Sequence, residues 1–470
     1  MALLSQTPGG QSLELAIDRP AYNLVKMASR QNQPGRPARP GRSIRGPQSA
    51  LTDFLAAQGI SANQIRSDAE ARPLFNERST ILPGQMANYL PPIIIDKVAR
   101  KLSKHRLLDS RTIDLFITPA TEDVHVYDGG KLGLDDYIRI FQVAPRIKNL
   151  KVRNGVQFKD EVMDFLLGRD IQLESLYLHG ANLLSDEKWQ EFLRKRGKSL
   201  RKLQVYYTDN HFGDDTLALL ATACPNLKRL KVKFNQKVTG KGIKEIAKIE
   251  TLEHLGIHLS DPSGQRDYVH PDCYVYLINK VGSRLRTFSV TNNEDLDNTV
   301  LDALRNNARR LEKLRITDSR VMTDDGFARL FTGWQNPGLA FLDLQRNRHV
   351  DASKPAENRA SIGLCSDGFR ALMAHSGRTL RDLNVHADRH ITAAAFEDVF
   401  AEHRTYPEMK RLEISFCDQV TDFIVGCAFR SCPNLRALNV FGCMRVRDVM
   451  VPRGKLLVGV PNAQGMVMEG

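Results

Sequence analysis

Six cations sit where they could act together. They are Lys151 and Arg153, then Lys202, then Arg229, Lys231 and Lys233. Within each group they alternate with apolar residues, and a period of two puts alternate side chains on one face of an extended segment. Rows of ammonium and guanidinium groups neutralise phosphate or carboxylate without making or breaking bonds themselves. Tyr177, Tyr206 and Phe234 fall in or beside the same rows. The stripe suits a phosphate backbone or an acidic protein tail, and ordinary solvated Lys and Arg would produce the same pattern. His179, His254, His258 and His386 project from the same segments and read as solvated groups, not metal ligands.

A second set comprises Arg36, Arg39, Arg42 and Arg45, spaced by three, with Pro37 and Pro40 among them. A polyproline II helix has three residues per turn, so the four guanidinium groups would line one edge. The segment reads as a phosphate-tracking arm, or equally as a basic solubilising or nuclear-import tail. The sequence has no glycine-rich phosphate loop, no H-E-x-x-H, no G-x-S-x-G and no C-x-x-C pair. No catalytic residue, metal ligand or cofactor is therefore assigned, and neither enzyme activity nor a small-molecule substrate is expected.

The elements that position the six cations are repeats. In Cys432-Pro-Asn-Leu-Arg-Ala-Leu-Asn-Val-Phe-Gly-Cys443, Leu435, Leu438 and Val440 mark a short strand, and Cys443 follows where a small polar group can bond open backbone amides. Such units start at Ile147, Leu173, Leu200, Leu227, Leu252, Leu285, Leu311, Leu339, Leu380, Met409 and Leu435, with a weaker one near Thr121. Their spacing is 25 to 29 residues, except for 33 after Leu252 and 41 after Leu339. The polar insertions 260–271 and 351–363 account for these exceptions and read as loops. The ladder slot holds Thr208, Asn235, Ser260, Asn293, Ser319, Asn347, Asp388, Cys417 and Cys443. Between strands, Thr239, Thr323 and Thr421 stand where they can cap helices. One unit cannot bury its own apolar side and needs stacked copies. The expected fold is an α/β leucine-rich-repeat solenoid of about twelve repeats, with a parallel concave sheet and helices on the convex face. The period, with Cys at the ladder slot, resembles the cysteine-containing repeat class of F-box and related proteins.

The chain has 470 residues and a net charge of +13. Residues 1–48 hold seven Lys or Arg and two acids, hence +5, which leaves +8 for the remainder. Positive excess favours nucleic acid or an acidic partner. No run approaches the roughly 18–20 apolar residues of a membrane span, and Met1-Ala-Leu-Leu-Ser lacks the pattern of a secretory signal. Met27-Ala-Ser-Arg offers a second start. The seven cysteines read as reduced thiols of a cytosolic or nuclear protein.

Residues 1–48 form a disordered basic arm and 49–72 a short helical docking motif. Ser49 can cap a helix whose Leu51, Phe54 and Leu55 share one face, and Ser61 to Gln64 opens a second helix. Two short helices cannot bury that face by themselves, so it docks a partner or packs on the chain's own repeats. Gly46-Pro-Gln-Ser-Ala-Leu-Thr-Asp-Phe-Leu55, followed by Gly59-Ile-Ser-Ala62, resembles the N-terminal motif of the Rad-seven-type fungal nucleotide-excision-repair proteins. The run Asn439-Val-Phe-Gly-Cys-Met-Arg-Val-Arg-Asp448, then Val451-Pro-Arg-Gly454, is similar to that family's last repeat and cap. The resemblance covers about 45–72 and 85–470. It implies a nuclear, non-catalytic subunit of a global-genome damage-recognition complex. The implied partners are a Swi/Snf-type ATPase carrying a RING finger, an elongin-like adaptor and a cullin. Members usually carry a cysteine-rich, zinc-type segment before the repeats. Here Ala71-Arg72 runs directly into Pro73, so zinc binding is not carried over.

Residues 73–84 read as a linker, 85–118 as a helical N-terminal cap or adaptor box, and 119–470 as the repeat domain with its C-terminal cap. In Leu90-Pro-Pro-Ile-Ile-Ile-Asp-Lys-Val-Ala-Arg-Lys-Leu102, Leu90 and Pro91 open a helix whose Ile94, Val98 and Leu102 form one stripe. The stripe suits a helix covering the open end of the solenoid, and it also resembles the opening of an F-box or elongin-binding box. The expected function is a repair scaffold with DNA as a further ligand. The alternative is the substrate receptor of a cullin–elongin-type ubiquitin ligase.

Overall fold

The structure, a computed structural model, describes residues 92–209, 211–259, 269–347 and 362–460. The basic arm, the docking motif, the linker, Leu90 and Pro91 lie outside the described residues.

The first described element is helix α1 (Pro92–Lys104), which buries Val98 and Ala99 and packs beside the first strand. From there strand and helix alternate. The strands are β1 (Asp123–Val126), β2 (Asn149–Val152), β3 (Ser175–His179), β4 (Lys202–Asp209) and β5 (Arg229–Asn235). Next come β6 (His254–His258), β7 (Thr287–Thr291), β8 (Lys313–Ile316) and β9 (Phe341–Asp343). The last are β10 (Asp382–Asn384), β11 (Arg411–Glu413), β12 (Ala437–Asn439) and β13 (Leu456–Val458). All thirteen form one parallel sheet in strict chain order.

Repetition fixes the register. Leu150 pairs with Leu176, Leu176 with Leu203, and Leu203 with Leu230, so the leucines stack in a buried column. A slip of one residue would turn every one of them outward. The sheet has one strand more than the expected twelve units. β13 forms where a C-terminal cap was expected, pairing Leu456 with Ala437 and burying Leu457.

Two positions just past each strand shape the turn. Seven residues after each repeat start from Ile147 onward, except Leu252, the backbone adopts left-handed angles, at Asn154, Gly180, Tyr207, Phe234, Asn292, Asp318, Arg346, Ala387, Phe416 and Gly442. The next residue is the ladder slot. Asn347 there is fully buried; its Oδ1 accepts from the Ser319 amide at 3.0 Å, and its Nδ2 donates to the carbonyls of Ile316 and Leu344 at 2.7 and 2.6 Å. The Asn347 amide donates to Asp388 Oδ1 at 3.0 Å. Cys417 and Cys443 extend the ladder by donating to the carbonyls of Val385 and Ile414, each at 3.3 Å. All seven cysteines are buried free thiols, and burial pushes Cys443 up to about 11 and Cys224 and Cys432 to about 12.

Among the described helices, several start on threonine caps. Thr239, Thr323 and Thr421 accept from the amides of Lys241, Gly326 and Ile424. Several helix starts are also held by the preceding repeat. Asp160 accepts from the Ser185 amide at 2.8 Å, Asp214 from the Thr239 amide at 2.8 Å, and Asp324 from the amides of Cys365 and Gly368, both at 2.8 Å. These bonds tie unit to unit on the side away from the sheet's outward face.

Candidate nucleic-acid interface

Strand alternation sorts the outward positions of β2 to β7 into three rows. The first is Asn149, Ser175, Lys202, Arg229, His254, Thr287. The second is Lys151, Tyr177, Gln204, Lys231, Gly256, Ser289. The third is His179, Tyr206, Lys233, His258, Thr291, with Arg153 just past the end of β2. Lys151, Arg153, Lys202, Arg229, Lys231 and Lys233 thus share one face, and none of these positions holds a carboxylate. With strands about 4.8 Å apart, the cations of β2 and β5 stand roughly 14 Å apart, on either side of β3 and β4.

Between them lies an aromatic floor. Tyr177 and Tyr206 meet edge to face at 5.0 Å. The Lys151 Nζ lies 5.3 Å from the Tyr177 ring and the Lys233 Nζ 5.1 Å from the Tyr206 ring, within cation–π range. Both tyrosines are less than a tenth exposed despite pointing outward. At the turn side of the floor a column of rings crosses four repeats. His179 meets Tyr207 at 4.9 Å, Tyr207 stacks on Phe234 at 4.0 Å, and Phe234 meets His258 at 4.0 Å. A Cβ on Gly256 would stand 3.0 Å from Lys231 Cγ, so the bare backbone there leaves room for the lysine stem.

The histidines are half-buried, not solvated as expected. His254 and His258 pair through Nδ1 with the hydroxyls of Thr287 and Thr291, at 2.9 and 2.5 Å. Burial first, and then Arg153 nearby, lowers His179 to about 4. Burial followed by Arg229 lowers His254 to about 4, and burial followed by Lys233 lowers His258 to about 3. At neutral pH these imidazoles are uncharged rings.

From β8 onward acids appear and pair with the cations. Arg315 reaches Asp343 at 2.8 Å, Arg346 reaches Asp318 at 2.5 Å, Arg411 contacts Asp382, and His386 lies 3.7 Å from Glu413. Burial pushes the Asp343 carboxyl up even with Arg315 beside it. The outward face is therefore carboxylate-free and cationic from β2 to β7, with Asp123 of β1 at its edge, and carries paired acids from β8 onward.

Residues 223–247 match the family model described as Leucine Rich repeat. The DNA repair protein rhp7 of Schizosaccharomyces pombe is 26% identical over 367 residues, which are 77% of this chain and 61% of that protein. The DNA repair protein RAD7 of Saccharomyces cerevisiae is 23% identical over 410 residues, 86% of this chain and 68% of that protein. The chain is homologous to the Rad7 and Rhp7 DNA repair proteins. It spans less than two thirds of the length of Rhp7. The crystal structure of the Rad7 and Elc1 complex in yeast shares the fold, with a TM-score of 0.67 at 20% identity, covering 89% of this chain and 98% of that one.

Of the other residues nominated from the sequence of this Rad7 and Rhp7 homologue, Ile94 and Val98 fall among the described residues. Arg36, Arg39, Arg42, Arg45, Leu51, Phe54 and Leu55 lie outside the described residues. On α1, Ile94 is half-buried, whereas Val98 is buried within the chain itself. Tyr207 was not read from the sequence as part of the surface, and the histidines were read there only as solvated groups. The signal that finds Tyr207 is the turn position seven residues past its repeat start, whereas His179 and His258 stand six past theirs, on outward strand positions.

Proposed function

We propose that this chain is a non-catalytic scaffold and recognition subunit of a nuclear global-genome nucleotide-excision-repair complex. Leu51, Phe54 and Leu55 dock a Swi/Snf-type ATPase carrying a RING finger, and the cationic rows of β2 to β5 hold DNA. The observation that carries the reading is the three-row, carboxylate-free face, in a chain homologous to two DNA repair proteins. An open sheet face with distributed charges suits recognition, since catalysis needs reacting groups held in a water-excluding site. Among the described residues no group of three or more His, Cys, Asp or Glu could hold a metal ion.

The test is to capture the tagged full chain from nuclei and identify its partners by mass spectrometry. The ATPase should be recovered, and a Leu51/Phe54/Leu55→Ala triple variant should lose it. Undiminished recovery with the variant refutes the docking assignment.

A second reading is the substrate receptor of a cullin–elongin-type ubiquitin ligase. It is favoured by the solution of the similar yeast Rad7 structure as a complex with Elc1. Leu90, Pro91, Ile94 and Val98 are then the adaptor box. Co-purification of an elongin-like adaptor, lost on Leu90/Ile94→Asp, supports it; an adaptor that stays bound to that variant removes the box from the reading.

A further inference from the structure

We propose that the face between β2 and β6 takes unpaired nucleobases, so that its ligand is a single-stranded stretch of nucleic acid rather than an intact duplex. The proposal rests on the cationic rows being a nucleic-acid surface, and it names the form of nucleic acid.

Three observations point this way. First, the cations bracket rings. In the second row Lys151 and Lys231 stand on either side of Tyr177 and Gln204, and in the third Arg153 and Lys233 stand on either side of His179 and Tyr206. An acidic peptide would use the cations and leave flat apolar rings facing its backbone. A duplex keeps its bases stacked inside and would bring only sugars and phosphates to the rings. Unpaired nucleotides present anionic groups and flat faces together, the combination that single-strand binders meet with basic grooves and aromatic side chains.

Second, the rings are ordered before any ligand arrives. His179, Tyr207, Phe234 and His258 form a continuous column at 4.0 to 4.9 Å, so little side-chain freedom remains to be lost on binding. The imidazoles in it are uncharged at neutral pH and act as rings.

Third, two of the rings occupy backbone positions that disfavour them. Tyr207 and Phe234 have φ of 54° and 56°, at the turn position held elsewhere by Asn154, Gly180, Asn292, Asp318, Arg346, Ala387, Phe416 and Gly442. Asn and Gly adopt those angles readily, whereas bulky side chains do not. The left-handed turn recurs along the sheet and a bulky ring fills it again at Phe416, outside this face, so what is particular here is that two such rings stack in neighbouring repeats. The stack places two aromatic rings beside Lys231 and Lys233.

The test is fluorescence anisotropy on the full chain with three probes at one salt concentration. They are a labelled oligothymidylate of about 15 nucleotides, a duplex of equal length and a polyglutamate peptide. The single strand should bind more tightly than the duplex. Tyr207→Asn with Phe234→Asn, which suits the left-handed angles, should weaken the single strand roughly five-fold or more and leave the duplex unchanged. Phe234→Leu, which keeps an apolar side chain without a π-face, should weaken it in the same sense, and Tyr207→Phe should not. Thermal melts check that each variant folds. If both ring-removing variants fold and bind the single strand as the parent does, the proposal falls while the nucleic-acid reading stands. If Lys231→Glu with Lys233→Glu leaves both nucleic acids unaffected, the nucleic-acid reading falls with it. Polyglutamate binding as tightly as the single strand, independently of the rings, would assign the face to an acidic protein instead.

Discussion

Tyr207 and Phe234 stack across neighbouring repeats with ring centroids 4.0 Å apart and planes 18° apart, while both backbones hold left-handed angles. The angles cost each residue about 1–2 kcal/mol, and an aromatic pair returns about 0.5–1.5 kcal/mol beyond its burial. At Phe234 taken singly, the two effects nearly offset. Phe234→Asn should therefore lower stability by no more than about 1–2 kcal/mol, because Asn relieves the backbone as the stack is lost. Denaturant unfolding measures this, and a much larger loss would make the ring a core residue.

Asn347 is the opposite case. Its side chain satisfies one amide and two carbonyls in a fully buried turn. Asn347→Ala leaves all three without that partner, at a cost of roughly 1–3 kcal/mol for a buried group left unsatisfied. Equilibrium unfolding should show a loss well beyond that of an exposed Asn; a loss within error would mean that water replaces the side chain.

The histidines make stability depend on pH. Folding lowers His179 and His254 to about 4 and His258 to about 3 from the ordinary 6.5. Below 6.5 the unfolded chain takes up protons that the folded chain refuses. The contribution is whole above 6.5 and is lost progressively as pH falls towards those lowered values. The denaturation midpoint should drop between about pH 7 and about pH 5, and His258→Gln should make the drop shallower. A midpoint unchanged over that range would contradict the burial of these rings.

Reversing Lys202, Lys231 and Lys233 to Glu should weaken DNA association and reduce its salt dependence. Each phosphate that is no longer neutralised lowers the slope of log affinity against log salt by about 0.7–0.9. Titration at several salt concentrations measures both effects, and an unchanged slope would remove these lysines from the DNA surface.

On α1, two neighbouring positions should separate partner binding from folding. Ile94 is half-buried and Val98 is buried. Val98→Ala should lower the unfolding midpoint, whereas Ile94→Asp should leave it nearly intact and weaken capture of an elongin-like adaptor. Adaptor capture unaffected by Ile94→Asp would leave α1 as a cap only.

The repeat architecture was legible because every copy places its apolar residues at the same offsets. Val124 and Val126 mark β1 even though its unit begins at a polar Thr121, and both are buried. β13 was not legible, because Gly454 occupies the place of a leading leucine and only pairing with β12 reveals it. The six cations could be placed on one face because strand alternation is strict. The ring column was only half legible. Tyr177, Tyr206 and Phe234 fall in or beside the rows, but Tyr207 follows a strand-inward rhythm and turns outward through its left-handed backbone. The histidines were misread as solvated, since their burial depends on Thr287 and Thr291 one repeat away.

The feet of the long insertion after β9 are clamped from both sides. The Leu364 amide donates to the Asn347 carbonyl at 3.0 Å, that of Gly363 to the Met322 carbonyl at 2.7 Å, and Asp324 gathers the amides that open the following helix. Whatever chain is strung between Asn347 and Ile362 can thus be lengthened, trimmed or exchanged for a foreign peptide while the stacked turns on each side keep their alignment. The fold holds both ends of that stretch in fixed positions, which makes it a defined place to graft a reporter peptide.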